Sequence, residues 1–195
     1  PGSFLIINLV FLFSCAKQPL VELPITTSSG IALEHYRTAM KHWEVGDDFE
    51  KRIHLDSAIM IDPNFALALD MNDAPDRSNR KALQKKAQSL IEKVTDQERL
   101  ILLIRDSYRN DNMDNALSYA KELVDKNPNS YEGYDWLGIV QSDRHEIDNA
   151  IKSFKKAIEI NPDDFTAYDF LMGHHIPSGD RVMLPEERRS VDKGL

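Results

Sequence analysis

Two Asn-Pro pairs, Asn127-Pro128 and Asn161-Pro162, lie 34 residues apart and close nearly the same run of residues. Ahead of the second pair stand Tyr134, Leu137, Gly138, Ala150, Phe154 and Ala157, at spacings that suit two short helices joined by a turn. A helix pair of this size cannot cover its own apolar face, so copies of the unit must stack on one another. That constraint points to a binding scaffold and away from an enzyme.

The same pattern extends in both directions. Ser28 or Ser29 caps a first helix whose apolar face is Ile31, Leu33, Tyr36, Ala39, Met40 and Trp43. Gly46-Asp47-Asp48 makes its turn, and Phe49, Ile53, Leu55, Ala58, Ile59 and Ile61 run to Asp62-Pro63, with Lys51 where the pattern expects alanine. The next unit begins regularly with Ala68-Leu69-Asp70-Met71 but carries Asn72-Asp73 where Leu137-Gly138 stand in the clear copy. Pro75 follows, so this helix stops early, and a second is expected over about 79–94. Thr95-Asp96-Gln97-Glu98 has the form of a capping box and opens a third unit. Its turn is Asn110-Asp111-Asn112, with Ala116, Ala120 and Leu123 ahead of Pro128. A fifth unit starts at Phe165, with Gly179-Asp180 at its turn and Pro185 interrupting its second helix. No regular polar-faced helix seals the array before Leu195, so either Pro185 to Val191 forms a short substitute cap or, the favoured expectation, the chain continues past it.

Residues 31–180 resemble tetratricopeptide repeats (TPR). The resemblance implies an all-α, right-handed α-solenoid of about four to four and a half helix-turn-helix units. Its concave groove would bind a peptide or protein partner. Groove positions carried over from the family fall on Tyr36, Met40 and Trp43 of the first unit, and on Glu98, Arg105 and Tyr108 of the third, with Arg109 adjacent. In the fourth they fall on Glu132 and Asp135. Such a surface would be aromatic at one end, cationic in the middle and acidic at the other. Tyr36, Met40 and Trp43 read equally as packing within the first unit. The lysine, asparagine and arginine clamp of the chaperone-binding members is not matched, because Tyr36, Met40, Glu132 and Asp135 depart from it.

The 195 residues carry a net charge of −8, and no basic stripe interleaved with aromatics appears, which argues against nucleic acid as a partner. No glycine-rich phosphate loop, Gly-x-Ser-x-Gly or His-Glu-x-x-His is present. The histidines are not expected to hold a metal: His174-His175 diverge on a helix, His35 and His42 lack an evident carboxylate partner, and His54 and His145 are isolated in sequence. No cofactor is expected.

The single cysteine, Cys15, follows an apolar run from Phe4 to Phe13 that is too short to span a bilayer but suits a signal peptide. Leu12-Phe13-Ser14-Cys15 resembles a bacterial lipobox, with Phe13 larger than usual; no charged residue stands between Pro1 and the apolar run, and Pro1 in place of Met is read as a trimmed start. Residues 1–15 are therefore read as signal peptide and lipobox, 16–30 as an extended linker, 31–180 as the repeat domain and 181–195 as an irregular C-terminal segment. The competing reading of 1–15 is a short buried helix or strand. Lipidated Cys15 would anchor the protein to a membrane of a bacterial envelope, with Ala16 favouring the outer one. Together these features give a non-catalytic, lipid-anchored protein-binding scaffold. Two alternatives share the fold: a sensor fragment of a longer signalling protein, and a carbohydrate-capture lipoprotein using Tyr36 and Trp43.

Overall fold

The computed structural model describes residues 23–173. Cys15, His174-His175, Gly179-Asp180 and Pro185 lie outside them. Among the described residues there are nine α-helices and no strand: α1 Gly30–Glu44, α2 Asp48–Ile61, α3 Ala66–Met71, α4 Arg77–Ser89, α5 Asp96–Arg109, α6 Met113–Lys126, α7 Tyr131–Asp143, α8 Ile147–Ile160 and α9 Phe165–Gly173. A 3-10 turn, Ile91–Lys93, follows α4. The helices pack as successive pairs, α1 on α2, α3 on α4, α5 on α6 and α7 on α8, each joined by a short connection that makes its partners antiparallel neighbours.

Local chemistry explains most boundaries. Ser29 caps α1 by accepting from the Ala32 N–H, Asp47 caps α2 through Glu50, and Asn112 caps α6 through Asn115. Thr95 and Glu98 form the expected capping box at the start of α5. The tight turns inside three of the pairs need a left-handed residue, supplied by Gly46 (φ 72°), Asp111 (φ 55°) and His145 (φ 62°). Each Asn-Pro or Asp-Pro step ends a second helix, since the residue before proline is driven out of the helical region.

The second unit departs from the others in a way that fits its sequence. α3 ends at Met71 after six residues, and the helix expected over 79–94 forms instead as α4 plus the 3-10 turn. Asn72 and Asp73, the two residues that break the pattern, reach back to α2. Asn72 Nδ2 donates to Asp56 at 2.8 Å, and Lys51 Nζ lies 2.7 Å from both Asp48 and Asp73. Lys51, out of place in the repeat pattern, is 4 % exposed. Burial works to lower its pKa, but the two carboxylates outweigh that and hold it above the ordinary lysine value. The irregular positions of adjacent units thus answer each other.

The core runs along the stack through fully buried Leu55, Phe65, Leu69, Leu100, Leu102, Ile104 and Leu123, and continues in Phe154, Tyr168 and Leu171 near the C-terminal end. Each such side chain stabilises the fold by about 1.5–3 kcal/mol, against about 0–1 for an exposed ion pair such as Lys156–Glu159. Apolar stacking therefore dominates.

Gly138 in α7 shows how tightly the pairs approach. A Cβ there would meet Phe154 Cε2 and Cζ at 2.7 Å, and the Phe154 ring is backed by Phe170 at a centroid distance of 4.3 Å. With the ring boxed in, Gly138→Ala is expected to destabilise by about 1–3 kcal/mol, despite alanine's better helix propensity. Thermal unfolding of the variant checks this, and an unchanged or raised midpoint would contradict it.

Candidate functional site

The residues expected to line a groove are mostly committed to the protein itself. Tyr36 is 7 % exposed, its ring lies 5.0 Å from that of Phe65, and its hydroxyl donates to Met71 Sδ at 3.3 Å. Met40 and Tyr108 are half-buried against the same core. Only Trp43 keeps substantial open surface. The aromatic end expected from sequence is largely interior packing.

The cationic middle is neutralised. Asp70 of α3 is fully buried and takes both arginines of α5: Arg105 Nε donates to Oδ2, and Arg109 stands 2.8 Å from Oδ1 in an ion pair. Arg105 also lies 6.0 Å from the centre of the Trp136 ring. A buried carboxylate requires such partners, so neither guanidinium is free for a ligand. Glu98 is covered by residues 23–29, which fall within the expected linker. Thr26 donates to it through both its N–H (2.9 Å) and its hydroxyl, while Thr27 and Ser28 donate to Asp62 at 2.7 Å. Burial works to raise the Asp62 pKa, and the donated hydrogen bonds overcome it, holding the carboxyl below the usual range.

The acidic end is closed as well. Asp135 is 8 % exposed and faces Asp164, which is 4 % exposed. Burial pushes the Asp135 carboxyl well above the usual carboxylate range, and Asp164, Glu132 and Glu44 push it further. Burial also raises Asp164. Two like charges so placed cannot both ionise cheaply, so burial and the neighbouring carboxylates favour the neutral form of Asp135.

Open charge lies elsewhere, on α4. Its apolar attachment is narrow, Leu83 and Ala87 with Leu90 just beyond, and Asp76 caps it through the Asn79 N–H at 2.7 Å. The rest of the helix presents Arg77, Arg80, Lys81, Lys85 and Lys86 with no acidic residue among them. Among the described residues, none of these five cations is in an ion pair. Arg77, Arg80, Lys81 and Lys85 line a cleft of about 510 Å³ against Asp106, Arg109 and Asn110 at the end of α5. Asp106 is already held by Arg109 and Asn110. This cationic cleft was not among the sequence candidates. The signal was present as a helix-length segment with five cations and no anion inside a chain of net charge −8.

Folding also brings together histidines that look unrelated in sequence. His54 of α2 lies against His35 and His42 of α1, with ring centroids 5.3 and 5.6 Å apart. The antiparallel pairing of α1 and α2 is the reason.

Stacked helix pairs at a 34-residue period define an all-α solenoid of the tetratricopeptide type. No protein-family model matches the chain, and no curated protein matches it. Among the solved structures similar to it, some are described as TPR proteins. A crystal structure of MamA protein is 20 % identical, with 85 % of this chain and 90 % of that one covered at a TM-score of 0.39. YrrB, described as a TPR protein with an unusual peptide-binding site, is 17 % identical over 75 % and 79 % of the two chains, TM-score 0.40. The first TPR domain of human RPAP3 is 14 % identical over 85 % and 98 %, TM-score 0.33.

The buried carboxyl pair makes a pH prediction. A carboxyl whose folded pKa is raised contributes stability that is full below its unfolded value, near 3.8, and is lost as pH rises through the folded one. Asp135→Asn keeps a neutral donor against Asp164 at every pH. Relative to the wild type, it is expected to gain stability as pH rises from about 4 to 7, reaching ~1 kcal/mol, or about 2–4 °C in midpoint, at neutrality. Thermal unfolding across that range checks it. A constant difference between the two proteins would show that Asp135 is ionised throughout.

Proposed function

We propose that the protein is a non-catalytic interaction scaffold whose partner offers an acidic segment to the cleft between α4 and α5, and that lipid on Cys15 holds it at an envelope membrane. The observation that carries the first part is the set of α4 cations without an ion-pair partner among the described residues, beside a cleft of peptide-accommodating size. Arginine forks bind carboxylates in paired hydrogen bonds, so Arg77 and Arg80 would orient the segment while Lys81 and Lys85 add charge. An acidic peptide is favoured over nucleic acid because the cleft has no aromatic ring on which a base could stack and the chain as a whole is anionic. The concave face expected from the family resemblance is a poorer site, since Tyr36, Asp70, Glu98 and Asp135 are all buried there.

A fluorescein-labelled peptide of alternating Glu and Asp tests the cleft. Binding is expected to weaken as salt rises, and the triple variant Arg80→Glu, Lys81→Glu, Lys85→Glu is expected to lose about 100-fold or more. Equal affinity in the variant, or tighter binding of a single-stranded oligonucleotide than of the peptide, would overturn the assignment.

Support for the membrane part is the run Leu12-Phe13-Ser14-Cys15 behind an apolar stretch. No helix among the described residues is long and apolar enough to cross a membrane. Metabolic palmitate labelling in a bacterial host should mark the wild type and disappear in Cys15→Ala. Labelling that survives the substitution, or is missing from both, refutes the anchor.

A further inference from the structure

We propose that the first helix pair carries a binding site for a zinc-class divalent ion, formed by His42 of α1 with Glu50 and His54 of α2. One ligand atom from each of these three half-buried residues lies within 4.8 Å of the other two. The arrangement follows from the local chain. Glu50 and His54 are four residues apart on α2 and so share a face. The left-handed Gly46 turns the chain sharply enough to lay the last turn of α1, with His42, over the first turn of α2.

A second observation sets this cluster apart from a chance gathering of polar side chains. Both histidines have a partner on Nδ1. His42 Nδ1 lies 3.3 Å from Asp47 Oδ2, and His54 Nδ1 lies 3.0 Å from His35 Nδ1. If His42 and His54 carry their proton on Nδ1, as donors in these contacts, the lone pair of each ring is on Nε2, the nitrogen left for an ion. A histidine that ligates a metal commonly has its other nitrogen bound in this way, which fixes both tautomer and ring direction. Asp47 is itself fixed, for its Oδ1 accepts the Glu50 N–H at 3.1 Å and its own N–H donates to the His42 carbonyl at 2.9 Å. Asp47 therefore ties the orientation of one ligand to the backbone of another.

Two imidazoles and a carboxylate suit zinc, which takes three protein ligands and leaves a fourth position for water. Around a tetrahedral ion the ligand atoms stand about 3.3 Å apart, so these side chains would draw in by roughly 1–1.5 Å. Half-exposed Glu50 and the two rings can do so by small torsional changes without moving either helix. Bound there, the ion would clip α1 to α2 at the pair that has a stacking partner on only one side among the described residues.

Isothermal titration of zinc(II) into the metal-free full chain tests the site. Cys15→Ser, His174→Ala and His175→Ala form the background, so that those groups contribute nothing. One ion per chain is expected, together with a rise of several degrees in the unfolding midpoint at about 100-fold excess over the dissociation constant. His42→Ala and His54→Ala are expected to weaken binding about 100-fold or more, Glu50→Gln and Asp47→Asn about 10-fold, and His145→Asn not at all. Cobalt(II) in place of zinc should give the intense visible bands of a four- or five-coordinate site in the parent and lose them in the same variants. Far-UV circular dichroism checks each fold. Should a histidine variant lose helicity, the near-isosteric Glu50→Gln decides. Zinc binding absent from the parent, or equally strong in Glu50→Gln and the histidine variants, would overturn the proposal.

Discussion

Asp70 has no contact with water, and much of what the solenoid can and cannot do follows from that. A buried carboxylate left alone is too costly for a folded state of ordinary stability, so Arg105 and Arg109 are drawn from the next repeat to meet it. Their engagement locks α3 to α5 across the shortest and most irregular helix of the stack. It also removes the two cations best placed to give the inner face a ligand. With Glu98 covered by residues 23–29 and Asp135 buried beside Asp164, that face is a buried polar seam joining the repeats. Open charge is left to α4.

The irregular second unit is part of the same economy of contacts. A regular repeat would place leucine and glycine where Asn72 and Asp73 stand, and alanine where Lys51 stands. The structure exchanges one apolar contact for a hydrogen bond from Asn72 to Asp56 and for a buried lysine held between Asp48 and Asp73. With α3 cut short, α4 is tied down by few apolar residues, Leu83, Ala87 and Leu90. Its remaining positions are free to be charged, and five of them are cationic.

Most helix positions are legible in the sequence, because their signals are local. The Thr95–Glu98 capping box, the serine and aspartate caps and the proline stops each act within a few residues of where they stand. The core positions Leu55, Ala58, Phe154 and Ala157 were legible too, since repeat spacing marks which face of each helix meets a neighbour. The candidate groove was less legible. Family position assigns Tyr36, Arg105 and Asp135 to a groove, yet says nothing about how closely opposing faces approach or which opposite charge arrives there.

By itself, then, the sequence determined an all-helical stack of paired helices, most of the caps and stops that bound them, and core positions such as Leu55, Ala58, Phe154 and Ala157, while Ile31, Phe49, Ile53 and Ile61 of the expected apolar faces stay exposed. Those outcomes rest on interactions within one turn or one repeat. The tertiary structure alone decided which charges are spent and which stay open. Asp70 meets Arg105 across 35 positions and Thr26 meets Glu98 across 72, distances over which no local pattern survives. The gathering of His35, His42 and His54 has the same origin. Residues on two helices become neighbours only when the turn between them, set by one left-handed glycine, brings the helices side by side.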